Sequence, residues 1–377
     1  MTTETQDPWL LTPGPLTTTF DTKRAMLHDW GSRDATFIDT NQRVRDRLLA
    51  IAEAEESHVC VPLQGSGTFA VEAAIATVLP RDGKALVLIN GAYGTRMTKI
   101  LDYLGRAYLT LETAEDVPPT ATDVDVLLKS DPGITHVLAV HCETTSGILN
   151  PIEEIAGVVA NHGRSLIIDA MSAFGAIPLS AKDVPFDAVM ASSNKCLEGV
   201  PGMGFAIIRK SVLEACAGNA HSLSLDLYDQ WVSMEKTKQW RFTPPTHVIV
   251  AFDKAIEQFE VAGGVDGRNA RYRNNARILI EGMRGMGFET LLSDNLQAPI
   301  IITFKMPGHP NFDFQGFYDA LKDKGFVIYP GKLTVAPSFR IGCIGALGED
   351  EMKGALHAVK ETMETMGVPS GTPAEDS

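Results

Sequence analysis

The chain has 377 residues, 44% of them hydrophobic and 21% charged, an ordinary globular composition with enough length for two domains. A formal net charge of −14 argues against nucleic acid and against an anionic membrane surface. It does not exclude an anionic substrate, because a site sets its own local field.

Five cysteines, Cys60, Cys142, Cys196, Cys216 and Cys343, are odd in number and lack CxxC spacing. Reduced thiols in a cytoplasm are therefore expected, and a structural zinc is not. No apolar run approaches a membrane span, and the opening MTTETQDPWL lacks the basic and apolar regions of a signal peptide. Residues 1–7 and 368–377 are polar and expected to be disordered.

From Leu10 to Leu16, Pro13 and Pro15 flank Gly14 and fix an extended, turned segment. It either lines a cleft with its backbone or crosses between domains. Val44, Leu48, Leu49 and Ile51 have the spacing of an amphipathic helix over 41–54. An apolar run from Val59 then meets Gly65, Ser66, Gly67 and Thr68 before a helical stretch. That strand, glycine loop and helix start suit a phosphate, through close backbone approach and exposed N–H groups. An ordinary Ser/Thr helix cap has the same pattern.

A buried strand over 85–90 leads to Tyr93 among glycines, placed either to stack on a flat ring or simply to pack. Residues 112–134 read as a surface connection around a short helix at 122–129. A strand over 135–140 ends in His141, Cys142, Glu143 and Thr144. His141 and Glu143 raise a metal or acid/base pair, without a third ligand at recognisable spacing. A helix over 151–161 crosses back to the central stretch.

That stretch, Ser165 to Gly204, holds the strongest chemistry. An apolar run ends in Asp169; a second, Ala188 to Met190, is followed by Ser192, Ser193, Asn194 and Lys195; a third begins at Phe205. Short apolar runs bounded by turns read as buried strands of a largely parallel sheet. Ligands of such sheets bind outside the carboxyl ends of the strands. An acid at one strand end and a lysine after another suit pyridoxal phosphate. The lysine forms a Schiff base with its aldehyde, and the acid keeps a proton on its ring nitrogen. Taken alone, Lys195 is also a solvated loop lysine.

The segment 211–245 reads as irregular. Thr243 is either a helix-entry residue or a donor to a ligand. Helices follow over 246–262 and 266–286, the second carrying Arg268, Arg271, Arg273, Arg277 and Arg284 as a solvated face. A boundary is placed at Gly263-Gly264. Beyond it come a strand (300–304), a helix (314–324), two strands (327–329, 339–344) and a helix (349–366). Arg340, inside the last strand, calls for a buried partner or a substrate anion.

LLTPGPLTTT, QGSGTFAVEAAI, LINGAYGTRM, HCETTSGILNPI, IIDAMSAFGAIP, SSNKCLEGVPGMGF and FRIGCIG together resemble the class V family of pyridoxal-phosphate-dependent aminotransferases, from Leu10 to about Gly367. The resemblance implies an α/β fold of the aspartate aminotransferase-like type (fold type I). Its large domain, 16–263, has a mostly parallel sheet. A smaller C-terminal α/β domain, 264–367, is joined by the N-terminal segment 8–15.

The resemblance also implies Lys195 as the Schiff-base lysine and Asp169 on the ring nitrogen. Ser66, Gly67 and Thr68 would hold the phosphate, with Tyr93 against the ring face and Thr144 and Asn194 at the cofactor. Arg340 and Gly14 would meet the substrate. Thr243 would reach the partner's phosphate across a homodimer. The implied reaction moves the amine of 2-aminoethylphosphonate to pyruvate, within phosphonate catabolism. Alternatives are a relative using serine, alanine or glyoxylate, a lyase such as a cysteine desulfurase, a non-catalytic binding protein of the same fold, or a metal hydrolase on His141 and Glu143. One stretch departs from the family pattern. Gly31, Ser32, Arg33, Asp34 and Ala35 stand where a cysteine-containing, acid-rich run is expected.

Overall fold

The computed structural model describes residues 7–331 and 336–374; the disorder expected of 1–6 and 375–377 lies outside them. Strand β1 (Trp9–Leu10) comes first. Helix α1 (Phe20–Arg24) is capped by Thr19, whose hydroxyl accepts from Thr22 N–H. Helix α2 (Ala35–Ile51) starts earlier than the apolar spacing suggested, because Asp34 caps it by accepting from Thr36 N–H.

Strands and helices then alternate: β2 (His58–Gln64), α3 (Gly67–Val78), β3 (Lys84–Ile89), α4 (Ala92–Leu104), β4 (Ala107–Glu112), α5 (Ala121–Ser130) and β5 (His136–Val140). A small hairpin, β6 (Cys142–Glu143) and β7 (Ile148–Leu149), precedes α6 (Ile152–Asn161), β8 (Ser165–Asp169), β9 (Ala188–Ser192) and β10 (Met203–Arg209). Next come α7 (Lys210–Glu214), α8 (Leu227–Thr237), α9 (Thr246–Val261) and α10 (Gly264–Gly285). The chain closes with β11 (Ile301–Lys305), α11 (Phe314–Asp323), β12 (Phe326–Val327), β13 (Tyr329–Pro330), β14 (Ser338–Gly342) and α12 (Glu349–Met366).

The main sheet has the order β2-β10-β9-β8-β5-β3-β4, and within it only β10 runs against its neighbours. Both faces are covered. In β8, Leu166 and Ile168 enter one core layer and Ile167 the other; in β10, Phe205 and Ile207 divide in the same way from Ala206 and Ile208. This is the strand period of two with apolar residues on both sides, hence the unbroken apolar runs. A second sheet, β11-β14-β13, has its own core around Phe304, Phe317 and Phe339. The start of the chain joins that side: β1 lies parallel to β12, and Leu11 is buried in the same core.

Several elements depart from the sequence reading. Strand β4 is a half-exposed edge whose residues, AYLTLE, make no apolar run, and the pattern missed it. The segment 211–245 is not irregular throughout, since it contains most of α7 and all of α8. Helix α8 packs Leu227 and Trp231 into the main core. The tail 368–374 is packed, not disordered. Gly367 ends α12 in the left-handed region at φ 66°, and Val368 N–H returns to the Met363 carbonyl at 2.9 Å. Gly308 N–H then donates to the Thr372 carbonyl at 2.9 Å.

The arginine face of α10 is also corrected. Arg268 is buried, with Nη1 donating to the Cys196 carbonyl at 2.6 Å and pairing with Glu198 Oε1 at 2.9 Å. The same oxygen accepts from Tyr272 Oη at 2.5 Å and pairs with Arg271. Tyr272 Oη accepts from Gly345 N–H at 3.1 Å, and Asn275 Nδ2 donates to the Cys343 carbonyl at 3.1 Å. This buried cluster ties the turn after β9 to α10 and the end of β14. Removing one partner strands the others without compensation. Glu198→Ala is expected to lower unfolding free energy by about 3–5 kcal/mol in urea titrations. A loss below about 1 kcal/mol would mean that the cluster does not carry this join.

Candidate active site

Asp169 ends β8 and Lys195 follows the adjacent parallel strand β9, so both stand at the same edge of the main sheet. The Asp169 carboxyl is 5% exposed, and among the described residues its one hydrogen bond is from Met171 N–H to Oδ1 at 2.9 Å. Burial raises its pKa from the ordinary 3.8 to about 6. The Met171 N–H and the charges of Arg96 and Lys195 oppose that rise, while Glu143 adds to it. Lys195 Nζ donates to the Pro13 carbonyl at 2.7 Å and the Gly14 carbonyl at 3.3 Å. Gly14 has φ +106°, and a Cβ there would stand 2.6 Å from Lys195 Cδ. Only glycine lets the backbone lie this close to the lysine.

A cavity of about 530 Å³ opens at this edge. Asp169, Asn194, Lys195 and Gly14 form one part of its wall. Ser66, Gly67, Thr68 and Tyr93 form another. Ser66 precedes α3 but makes no capping bond with its side chain, so the first-turn N–H groups of α3 have no side-chain cap. Arg96, which no local sequence pattern singled out, also stands in the wall. Its guanidinium lies 4.7 Å from the Tyr93 ring centroid, and Nη1 donates to Thr68 Oγ1 at 3.1 Å.

The family model for class-V aminotransferases matches residues 25–344. The chain is a class-V aminotransferase. It is 57% identical over 361 residues to a 2-aminoethylphosphonate--pyruvate transaminase of Pseudomonas putida, covering 96% of this chain and 98% of the relative. The pyridoxamine-pyruvate aminotransferase of Mesorhizobium loti superposes with TM-score 0.87 at 25% identity, covering 98% of this chain and 96% of that one. The ureidoglycine-glyoxylate aminotransferase of Bacillus subtilis shares the fold at TM-score 0.89 and 21% identity, covering 99% and 97%.

A class-V aminotransferase uses pyridoxal phosphate, and this cavity suits that group. The buried Asp169 carboxylate has acceptor capacity left for a ring N–H. Ser192 Oγ is buried without a partner among the described residues, and the uncapped first turn of α3 supplies anion donors.

Three expected site residues stand outside the cavity wall. Arg340 is fully buried, with Nη1 donating to the Thr144 carbonyl at 2.6 Å and Nε to the Pro330 carbonyl at 3.0 Å. Its guanidinium also lies 4.9 Å from the Tyr329 ring centroid. The structure thus brings Thr144 to Arg340 through its carbonyl. Thr243 is exposed and lines a second cavity, of about 470 Å³, that shares Gly65 with the first. Arg33 is exposed beside the start of α2.

Glu143 caps α4. Its carboxylate accepts from Tyr93 N–H at 3.1 Å, Thr145 N–H at 3.0 Å and the Thr145 hydroxyl at 2.5 Å. That role takes the second ligand from the metal-hydrolase alternative. His141 is buried, and burial pushes its pKa down to about 4, leaving a neutral ring. All five cysteines are buried, and burial raises the thiols of Cys142 and Cys196. None is the exposed, reactive thiol that a desulfurase needs.

The raised Asp169 pKa sets a pH dependence. The folded carboxyl binds its proton more tightly than the unfolded one. Its stabilising share is complete below about pH 4 and is lost as pH rises through about 6. In cofactor-free protein, Asp169→Asn should therefore raise stability at pH 7.5 by up to about 3 kcal/mol. The gain should fade as the pH falls toward 4. Thermal unfolding at both pH values checks this, and an equal shift at both would refute it.

Proposed function

We propose that the chain transfers the amino group of 2-aminoethylphosphonate to pyruvate, giving phosphonoacetaldehyde and alanine. The observation that carries this reading is the agreement, over nearly the whole chain, with an enzyme of that name at 57% identity. The cavity at the strand ends supplies the chemistry. When bound, pyridoxal phosphate provides an aldehyde that links amines and a ring that takes up the electron pair of a broken C–H bond.

In this reading Lys195 Nζ carries a proton between the donor's amine-bearing carbon and the cofactor's aldehyde carbon, as base and then as acid. Asp169 keeps the ring nitrogen protonated, and Asn194 and Thr144 border the cofactor. Tyr93 covers one ring face. Ser66, Gly67 and Thr68 receive the phosphate on hydroxyl and backbone N–H groups. Gly14 keeps the substrate side of Lys195 narrow. Arg340 receives the phosphonate of the donor and then the carboxylate of the acceptor. The carbonyls of Thr144 and Pro330 fix the plane of its guanidinium, Pro330 taking Nε and Nη2 and Thr144 taking Nη1, so one N–H on each of Nη1 and Nη2 is left to meet an anion.

The active unit in this reading is a homodimer in which Thr243 serves the partner's phosphate. Exposed Phe69 and Phe242 near Thr243 suit a covered surface. Full activity in a monomer, checked by sedimentation at assay concentration, would end that part. Five unpaired, buried cysteines suit a reducing cytoplasm.

The deciding experiment is a panel of amine donors with pyruvate, scored for alanine, with Lys195→Ala as the inactive reference. 2-Aminoethylphosphonate is expected to be the best donor. A better rate with serine or alanine would replace this reading with another class-V aminotransferase. Arg340→Lys keeps the charge but loses the planar fork. It is expected to slow both half-reactions by about tens- to a thousandfold. Loss in one half-reaction alone would show that the two anions use different residues.

A further inference from the structure

We propose that Arg96 is the fixed positive charge that holds the cofactor's phosphate over the first turn of α3. The proposal rests on the pyridoxal phosphate reading above. Among the described residues, the charged side chains of the main cavity wall are Arg96, Asp169 and Lys195. Lys195 is committed to the aldehyde and Asp169 to the ring nitrogen. Arg340 lies outside this wall, held at Thr144 and Pro330. Among the described residues, a phosphate in this cavity therefore has Arg96 as its one permanent cation, in a protein whose net charge is −14.

Helix α4 delivers that charge to a defined place. Tyr93 and Arg96 are three residues apart and so share a helix face. The guanidinium lies against the Tyr93 ring, 4.7 Å from its centroid. Its Nη1 donates to Thr68 Oγ1 at 3.1 Å, so the guanidinium is held on its face by the Tyr93 ring and at one nitrogen by Thr68. The direction of that bond matters. Thr68 Oγ1 accepts from Arg96, which turns the hydroxyl's own proton away and leaves it to donate to an anion. Arg96 thus acts twice, as a charge and as the group that orients the Thr68 hydroxyl. The uncapped N–H groups of α3 complete the same cradle. The lysine route to the aldehyde and the arginine hold on the phosphate are separate contacts, so they can be separated by experiment.

The test compares two aldehydes, pyridoxal phosphate and pyridoxal, titrated onto cofactor-free protein and followed by the visible absorption band. In Arg96→Ala the affinity for pyridoxal phosphate should fall about ten- to a hundredfold. Affinity for pyridoxal, which has no phosphate, should change less than about twofold. Arg96→Lys should recover part of the loss, since it keeps charge without the planar fork. Equal losses for both aldehydes would overturn the proposal and make Arg96 a packing residue. An unchanged preference for pyridoxal phosphate, with a raised KM for the phosphonate donor, would also overturn it and assign Arg96 to the substrate. If wild-type protein binds neither aldehyde, the cofactor reading falls, and this assignment with it.

Discussion

A sheet buried on both faces leaves polar chemistry one place to stand, the ends of its strands. In β8, Leu166, Ile167 and Ile168 are buried on alternating sides, and the first polar side chain after them is Asp169. A carboxylate at that position is still desolvated, and this raises its pKa to about 6. It therefore needs cationic company, and Lys195, Arg96 and a ring N–H can provide it. The parallel run of β9 beside β8 brings Lys195 to the same edge. The glycine at position 14 lets a separate part of the chain close over it. The rest of the cavity follows from this edge, since β2 and β3 deliver the starts of α3 and α4 to it.

The hairpin β6–β7 then links the cavity to the second sheet. Glu143 caps α4 and so fixes the backbone of Tyr93. The next residue, Thr144, gives its carbonyl to Arg340 on β14. Ser146 gives its carbonyl to the Thr303 hydroxyl on β11, at 2.7 Å. A few consecutive residues thus set Tyr93 in the cavity wall and the buried Arg340 in register. The carboxylate of Glu143 has its hydrogen bonds shared between Thr145 and the start of α4, the helix end that favours negative charge.

On the other side of Lys195, Glu198 performs a similar join through charged groups. It adopts a positive φ of 57°, rare for a residue with a side chain, and it collects Arg268, Arg271 and Tyr272. The strain and the burial of these charges are offset by mutual pairing. The turn that carries Lys195 is consequently held to α10 and, through Tyr272 and Asn275, to the chain after β14.

Much of this was legible in the residues themselves. Apolar runs ending in Asp169 or followed by Lys195, and a glycine loop opening a helix, are local patterns with local causes. Eight of the residues singled out from local patterns or from the family resemblance, Gly14, Ser66, Gly67, Thr68, Tyr93, Asp169, Asn194 and Lys195, line one cavity. Several distinct motifs, in order and spacing, pointed to the family to which the chain belongs. Tertiary structure alone decided the rest. Arg96 reaches Thr68 across two helices, and Arg268 leaves an arginine-rich face to pair with Glu198. Arg340 has carbonyls as partners, contributed by Thr144 and Pro330, and no sequence pattern marks a carbonyl as an acceptor in waiting. The edge strand β4 and the packed tail were hidden because their stability comes from neighbours distant in sequence, not from their own periodicity. Period and turn chemistry are written over a few residues, whereas a long side chain's partner is chosen by the fold that surrounds it.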